Sequence, residues 1–264
     1  MKHLKLLIIY LLLFILQTGL AQDSLSSYKK EIFVSKLDSM PYRILFPPHF
    51  SAEKSYPLVV FLHGAGERGN DNEKQLIHGS SLFTSPEALA NYPSIVLFPQ
   101  CPSDDYWAKV KIDRNDAKKT FDFLYTKPPT RSMNNLIQLI DKLLDGNYIN
   151  KDQVYVMGLS MGAMGVYEIL YRKPNTFAAG IAICGGGNTH FAKNFAKQTP
   201  LWIFHGSRDD VVDPKYSVRM VEAILEAGAY PKFTLFEDAN HNSWDPAFAQ
   251  KEILPWLFSK TRKP

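Results

Sequence analysis

From about Lys29 onward, short apolar, β-branched runs alternate with longer stretches of helical period. The pattern predicts strands at 31–35, 42–46, 58–62, 94–99, 153–158, 178–184, 201–205 and 233–236. Several of these are apolar at nearly every position, as in Pro57-Leu58-Val59-Val60-Phe61-Leu62, which suits strands buried on both faces of a parallel sheet. Helices are predicted at 134–144, 160–172, 216–227 and 246–258. The first places Leu136, Ile137, Ile140, Leu143 and Leu144 on one stripe and stops at Gly146, and the last takes Asp245 as its cap with Pro246 in first position. Strand and helix in alternation predict an α/β fold: a mostly parallel, eight-stranded sheet with helices on both faces. The segment 102–130 breaks the rhythm, being polar and aromatic with a Pro128-Pro129 pair, and reads as a wall of a substrate pocket.

The first 21 residues follow a different rule. Lys2 and Lys5 precede an unbroken apolar run from Leu6 to Leu16, and Gln17-Thr18-Gly19-Leu20-Ala21 follows. Basic, apolar and small-residue regions in that order describe a secretory signal peptide cleaved after Ala21. The competing reading, a membrane anchor, is short of length: such a run spans roughly 16 Å as a helix, about half a bilayer core. The expected mature chain is therefore an exported single catalytic domain, residues 22–264, with no stable membrane anchor.

Composition changes little. Without the two leader lysines the chain holds 28 basic against 26 acidic residues, and these are scattered, so there is no electrostatic case for nucleic acid. Its two cysteines, Cys101 and Cys184, are read as buried thiols at strand ends rather than a bridge, and their spacing resembles no zinc pattern. No metal or organic cofactor is implied.

Candidate chemistry begins at Gly158-Leu159-Ser160-Met161-Gly162, between a predicted strand and a predicted helix. A Gly-x-Ser-x-Gly run in that context is a nucleophile elbow, a turn so tight that a β-carbon on either glycine would collide with strand or helix. A serine nucleophile needs a base, and the base needs an orienting carboxylate. Only one of the seven histidines, His241, lies beyond the acidic loop that follows the 201–205 strand, which selects it as base. That loop carries Asp209, Asp210 and Asp213. Asp209, the earliest after the strand, is taken as the acid, with the others as loop charge or a helix cap. His205 is expected to order the loop through a hydrogen bond.

An oxyanion hole is expected from the backbone N–H groups of Met161 and of Ala65, the latter in a stretch holding three glycines, Gly64, Gly66 and Gly69, with Gly64 adjoining the substrate. His63 reads as a structural histidine of that loop, and Glu67 and Arg68 read either as a bracing ion pair or as surface charge.

At these residues the chain resembles the α/β-hydrolase superfamily. More narrowly, it is similar to secreted bacterial esterases of the carboxylesterase, feruloyl esterase and polyhydroxybutyrate depolymerase-like group, often labelled peptidases. The resemblance rests on Pro41-Tyr42-Arg43, His63 to Gly69, Pro99-Gln100-Cys101-Pro102, Gly158 to Gly162, Ile183-Cys184-Gly185-Gly186, His205 to Asp209 and His241-Asn242-Ser243-Trp244. It implies Asp209 as the triad acid and Trp107 as a substrate contact, the alternative for Trp107 being a packed loop aromatic. Ala163 departs from the third glycine common in that group. The implied activity is hydrolysis of acetyl or feruloyl-type esters, small or polysaccharide-linked. The rivals are a serine peptidase of the prolyl oligopeptidase type and a catalytically silent binding protein.

Overall fold

The computed structural model describes residues 26–36, 38–114 and 119–262. The predicted leader, residues 1–21, lies outside them. Among the described residues no helix is long and apolar enough to cross a membrane.

Each of the eight predicted runs is a strand of one sheet. In chain order they are β1 (Lys29–Val34), β2 (Ser39–Leu45), β3 (Tyr56–Leu62), β4 (Ile95–Pro99), β7 (Ile149–Leu159), β8 (Ala179–Ile183), β9 (Leu201–Gly206) and β10 (Lys232–Phe236). Between β4 and β7 the chain forms a separate hairpin, β5 (Val110–Asp113) and β6 (Thr120–Phe123). The sheet order is β1-β2-β4-β3-β7-β8-β9-β10. It is mixed: β1 and β2, and β2 and β4, pair antiparallel, and every pairing from β4 to β10 is parallel.

Helices cover both faces: α1 (Ser81–Thr84), α2 (Pro86–Asn91), α3 (Arg131–Leu144), α4 (Met161–Arg172), α5 (Lys215–Glu226), α6 (Trp244–Phe248) and α7 (Ile253–Phe258). Along β3, Leu58, Val60 and Leu62 enter one apolar cluster with α3, α4 and α5, while Val59 and Phe61 enter the opposite one with α1, α2, α6 and α7. β7 divides likewise, with Val154 and Val156 against Tyr155, Met157 and Leu159. Successive side chains point to opposite faces, so a strand covered on both sides has to be apolar throughout.

Three expectations need correction. Helix 246–258 is two short helices, with Ser243 rather than Asp245 at the cap position of the first. The break follows from Pro255, which has no N–H to give the Lys251 carbonyl and would clash with it inside a continuous helix. Restarting the helix at Ile253 puts Pro255 in a first turn, where proline is tolerated. Second, the buried stripe of α3 is Met133, Leu136, Leu139, Ile140 and Leu143, with Ile137 and Leu144 only partly covered. Third, the segment 102–130, for which the pattern predicts no regular element, contains the β5–β6 hairpin.

The chain leaves β3 toward β4 on one side and returns to β7 on the other. The loops after β3 and β7 therefore diverge and open a crevice at the carboxyl ends of the strands, where α/β sheets bind ligands.

Candidate active site

The elbow is set by backbone geometry. A β-carbon on Gly158 would lie 2.5 Å from the Gly162 carbonyl carbon, and one on Gly162 would overlap the Leu62 carbonyl oxygen. The two glycines thus let α4 sit directly on β7 and β3. Ser160 between them has φ 52° and ψ −116°, and its N–H donates to the Ile183 carbonyl at 2.8 Å. Its side chain stands at the N-terminus of α4, where the helix dipole and unpaired N–H groups favour negative charge.

Ser160, His241 and Asp209 come together from the ends of β7, β10 and β9. His241 Nε2 is 2.9 Å from Ser160 Oγ, and His241 Nδ1 is 2.8 Å from Asp209 Oδ2. The acid sits on Nδ1, so Nδ1 carries the proton and Nε2 is free to accept one from the serine. Asp209 is 3% exposed, and its Oδ1 accepts from the N–H groups of Val211 and Val212, each at 2.9 Å. Burial alone would raise its pKa, but bonds from His205, His241 and the Val212 N–H outweigh it and hold the carboxyl well below the usual range. Asp210 is exposed, so of the three candidate acids Asp209 is the one in contact with the histidine.

His205 does more than order its loop. It is fully buried, with Nδ1 2.7 Å from Ser217 Oγ, and its Nε2 lies 3.0 Å from the Val212 carbonyl and 3.1 Å from Asp209 Oδ2. Both Nε2 neighbours are acceptors, so the proton is on Nε2 and Asp209 is held between two histidines. No sequence signal marks Asn240, yet it too shapes the site. Its Oδ1 accepts from the N–H groups of Asp210, at 3.1 Å, and His241, at 2.7 Å, tying the acid loop to the histidine loop.

The loop after β3 folds as a short 3-10 turn, Ala65–Glu67, with Gly64 and Ala65 on the cavity that reaches Ser160. Met161, the other expected oxyanion donor, is the first residue of α4 with its side chain buried. His63 is a core residue: its Nδ1 donates to the Gly64 carbonyl at 2.6 Å, and its Nε2 accepts the Cys101 N–H at 3.0 Å. Burial pushes its pKa down to about 4, so it is neutral. Glu67 and Arg68 do not pair with each other. Glu67 faces His78 at 3.7 Å, while Arg68 donates to the carbonyls of Ala65, Ser103 and Asp105.

The expectation for Trp107 is overturned. The ring is fully buried beneath the site, its Nε1 donating to the His63 carbonyl at 3.1 Å, and α4 passes over it at Gly165. A β-carbon at Gly165 would come within 2.6 Å of the Trp107 β-carbon. Its neighbour Tyr106 faces the cavity instead, with Ile112 and Phe121 of the hairpin and Trp244 beside His241. This cavity has a volume of about 350 Å³.

Cys101 and Cys184 are buried free thiols just past β4 and β8. Cys184, Asp209 and His241 bring ligand-type atoms within 4.8 Å of one another. That group suits a metal poorly: burial holds the Cys184 thiol in its protonated form, and both His241 nitrogens already face Ser160 and Asp209.

Residues 50–252 match the phospholipase/carboxylesterase family of α/β-hydrolases. The chain belongs to that family. A solved thermostable esterase is 32% identical, with a TM-score of 0.81 over 90% of this chain and 64% of its own. A dipeptidyl aminopeptidase-like protein of Schizosaccharomyces pombe is 23% identical over 76% of this chain, which spans only 25% of that protein's length. A ferulic acid esterase from Anaeromyces mucronatus shares the fold, at 20% identity and a TM-score of 0.62 over 86% of this chain and 89% of its own.

Proposed function

We propose that this family member is an exported serine hydrolase that cleaves carboxylic esters by acyl transfer. The observation that carries the reading is the continuous hydrogen-bonded chain from Ser160 Oγ through His241 to buried Asp209, opening on a cavity. Ser160 Oγ attacks the ester carbonyl as His241 Nε2 takes its proton, and the same nitrogen then protonates the departing alcohol. A water activated by His241 releases the acid from the acyl-enzyme. Asp209 fixes the imidazole tautomer and stabilises the imidazolium, and the N–H groups of Ala65 and Met161 receive the tetrahedral oxyanion. Acetyl or feruloyl-type esters, small or polysaccharide-linked, are the proposed substrates, in keeping with the likeness to esterases. The same chemistry cuts peptides, and the similarity to the Schizosaccharomyces pombe protein favours that as the second reading.

The test compares p-nitrophenyl acetate, methyl ferulate and a chromogenic dipeptide as substrates for the wild type and for Ser160→Ala. Ester turnover is expected to fall by about 10⁴-fold or more in the variant. Ester turnover that survives the substitution, or peptide cleavage without ester cleavage, overturns the ester reading.

A further inference from the structure

The hairpin forming one wall of the cavity shows period-2 alternation with an exception at its outer end. Its pairs are Val110 with Phe123, Lys111 with Asp122, Ile112 with Phe121 and Asp113 with Thr120. Lys111, Asp113, Thr120 and Asp122 are exposed, whereas Val110, Ile112, Phe121 and Phe123 form the covered row. Just past Asp113 and Thr120, where the pairing ends, stand Arg114 and Lys119, exposed to solvent, and both line the cavity that contains Ser160 and His241. The outer end of the wall thus carries two cations in place of apolar side chains.

Neither cation forms an ion pair with a carboxylate among the described residues. Like charges on one cavity wall repel each other, so the arrangement is not one that folding favours. Among the described residues, the carboxylate on the cavity wall is Glu67, which is turned toward His78, while Arg68 adds a third positive charge. The wall is also fixed in place: the Phe121 N–H donates to Tyr216 Oη at 2.8 Å, and the Phe123 carbonyl accepts from Asn188 at 2.6 Å. An apolar wall ending in two cations suits an organic substrate whose body lies on Ile112 and Phe121 and whose far end is negatively charged.

We propose that the site takes esters carrying a carboxylate remote from the scissile bond, held by Arg114 and Lys119 while the ester carbonyl lies at Ser160. The proposal rests on the ester-hydrolase reading. The carboxylate can belong to the alcohol, as in an acylated acidic sugar or phenol, or to the acyl group, as in a half-ester of a dicarboxylic acid.

Two substrate pairs separate these sources: 4-acetoxybenzoate against its methyl ester, and p-nitrophenyl hemiglutarate against p-nitrophenyl valerate. In one pair the wild type is expected to prefer the anion by about fivefold to tenfold in kcat/KM, as two partly exposed ion pairs allow. The preference should fade in 0.5 M NaCl (roughly a 4 Å Debye length) and fall to about one in Arg114→Gln/Lys119→Gln. A merely structural effect of the double substitution would lower both members of a pair alike and leave their ratio intact. Absence of preference in both pairs, or a preference that survives the double substitution, overturns the proposal. Failure of the underlying reading looks different, as no turnover of any of the four esters. Calorimetric binding of 4-acetoxybenzoate to Ser160→Ala then decides separately: weaker binding without the two cations supports the anion site, and equal binding overturns it.

Discussion

Ser160 is held at φ 52° and ψ −116°, a conformation that costs a residue with a β-carbon about 1–3 kcal/mol. The glycines on either side, the Ile183 carbonyl and the packing of α4 impose it, and the result is a hydroxyl 2.9 Å from an imidazole nitrogen. The carboxylate beside that imidazole is held as tightly. Asp209 receives two backbone N–H groups and lies between two histidines, whereas Asp210 points to solvent and contributes only its N–H, to Asn240. Asp209→Asn is therefore expected to keep the fold and lose about 10⁴-fold in kcat, because the amide imposes the wrong histidine tautomer. Asp210→Asn should turn over ester at close to the wild-type rate. Steady-state kinetics on p-nitrophenyl acetate checks both, and comparable losses in the two variants would reject Asp209 as the acid. Chain order and strand position make the placement of Asp209 beside His241 readable in the sequence. The contact between His205 and Asp209 is not readable there, since no spacing rule says that the ring four residues upstream folds back onto the carboxylate.

At the scale of elements, close approach decides what is tolerated. Gly162 has the Leu62 and His63 backbone where a β-carbon would go, and backbone does not move aside as a flexible side chain does. Gly162→Ala should cost at least about 3 kcal/mol in folding stability and abolish activity, the upper range of overpacking penalties. At Gly66, on the neighbouring loop, a β-carbon would have nothing within 4 Å, and Gly66→Ala should leave folding stability unchanged. Urea denaturation of the two variants gives the comparison, and a Gly162→Ala protein as stable as wild type would refute the account of the elbow. The central strands β3, β4, β8, β9 and the second half of β7 are legible in the sequence because burial on both faces leaves a nearly uninterrupted apolar run, whereas the largely exposed edge strands β1 and β10 are legible only as short runs of aromatic and β-branched residues. The β5–β6 hairpin is not, because its strands are only four residues long and one of their faces is solvated. The resemblance misleads at Trp107, which it makes a substrate contact, and the packed-aromatic alternative holds, with α4 lying on the ring at Gly165.

Across the whole molecule, the crevice depends on segments distant in sequence being fastened to one another, and His63 is one of the fasteners. Its ring joins the end of β3 to the loop after β4 through the Cys101 N–H, and its carbonyl holds Trp107. Accepting the Cys101 N–H requires Nε2 to be unprotonated. Burial is the main cause of the depressed pKa of about 4, against an ordinary 6.5; Arg68 adds to it, while the Gly64 carbonyl and Asp71 oppose it. Since the unfolded chain binds this proton more readily than the folded one, acid favours unfolding. The contribution is complete above about pH 6.5 and is lost as the pH falls toward 4. By linkage, this one group should remove about 2 kcal/mol of stability between pH 7 and pH 5. Asp209 and Asp71, whose carboxyls are also depressed, act only further into acid, below their ordinary value of 3.8. Urea unfolding of the wild type and His63→Gln from pH 8 to pH 4.5 isolates the effect. The glutamine variant is expected to start less stable, having lost the packed ring, but to hold its stability through the window in which the wild type declines, so that the two curves converge. Parallel decline of the two proteins would mean that His63 is not the group whose protonation loosens the fold.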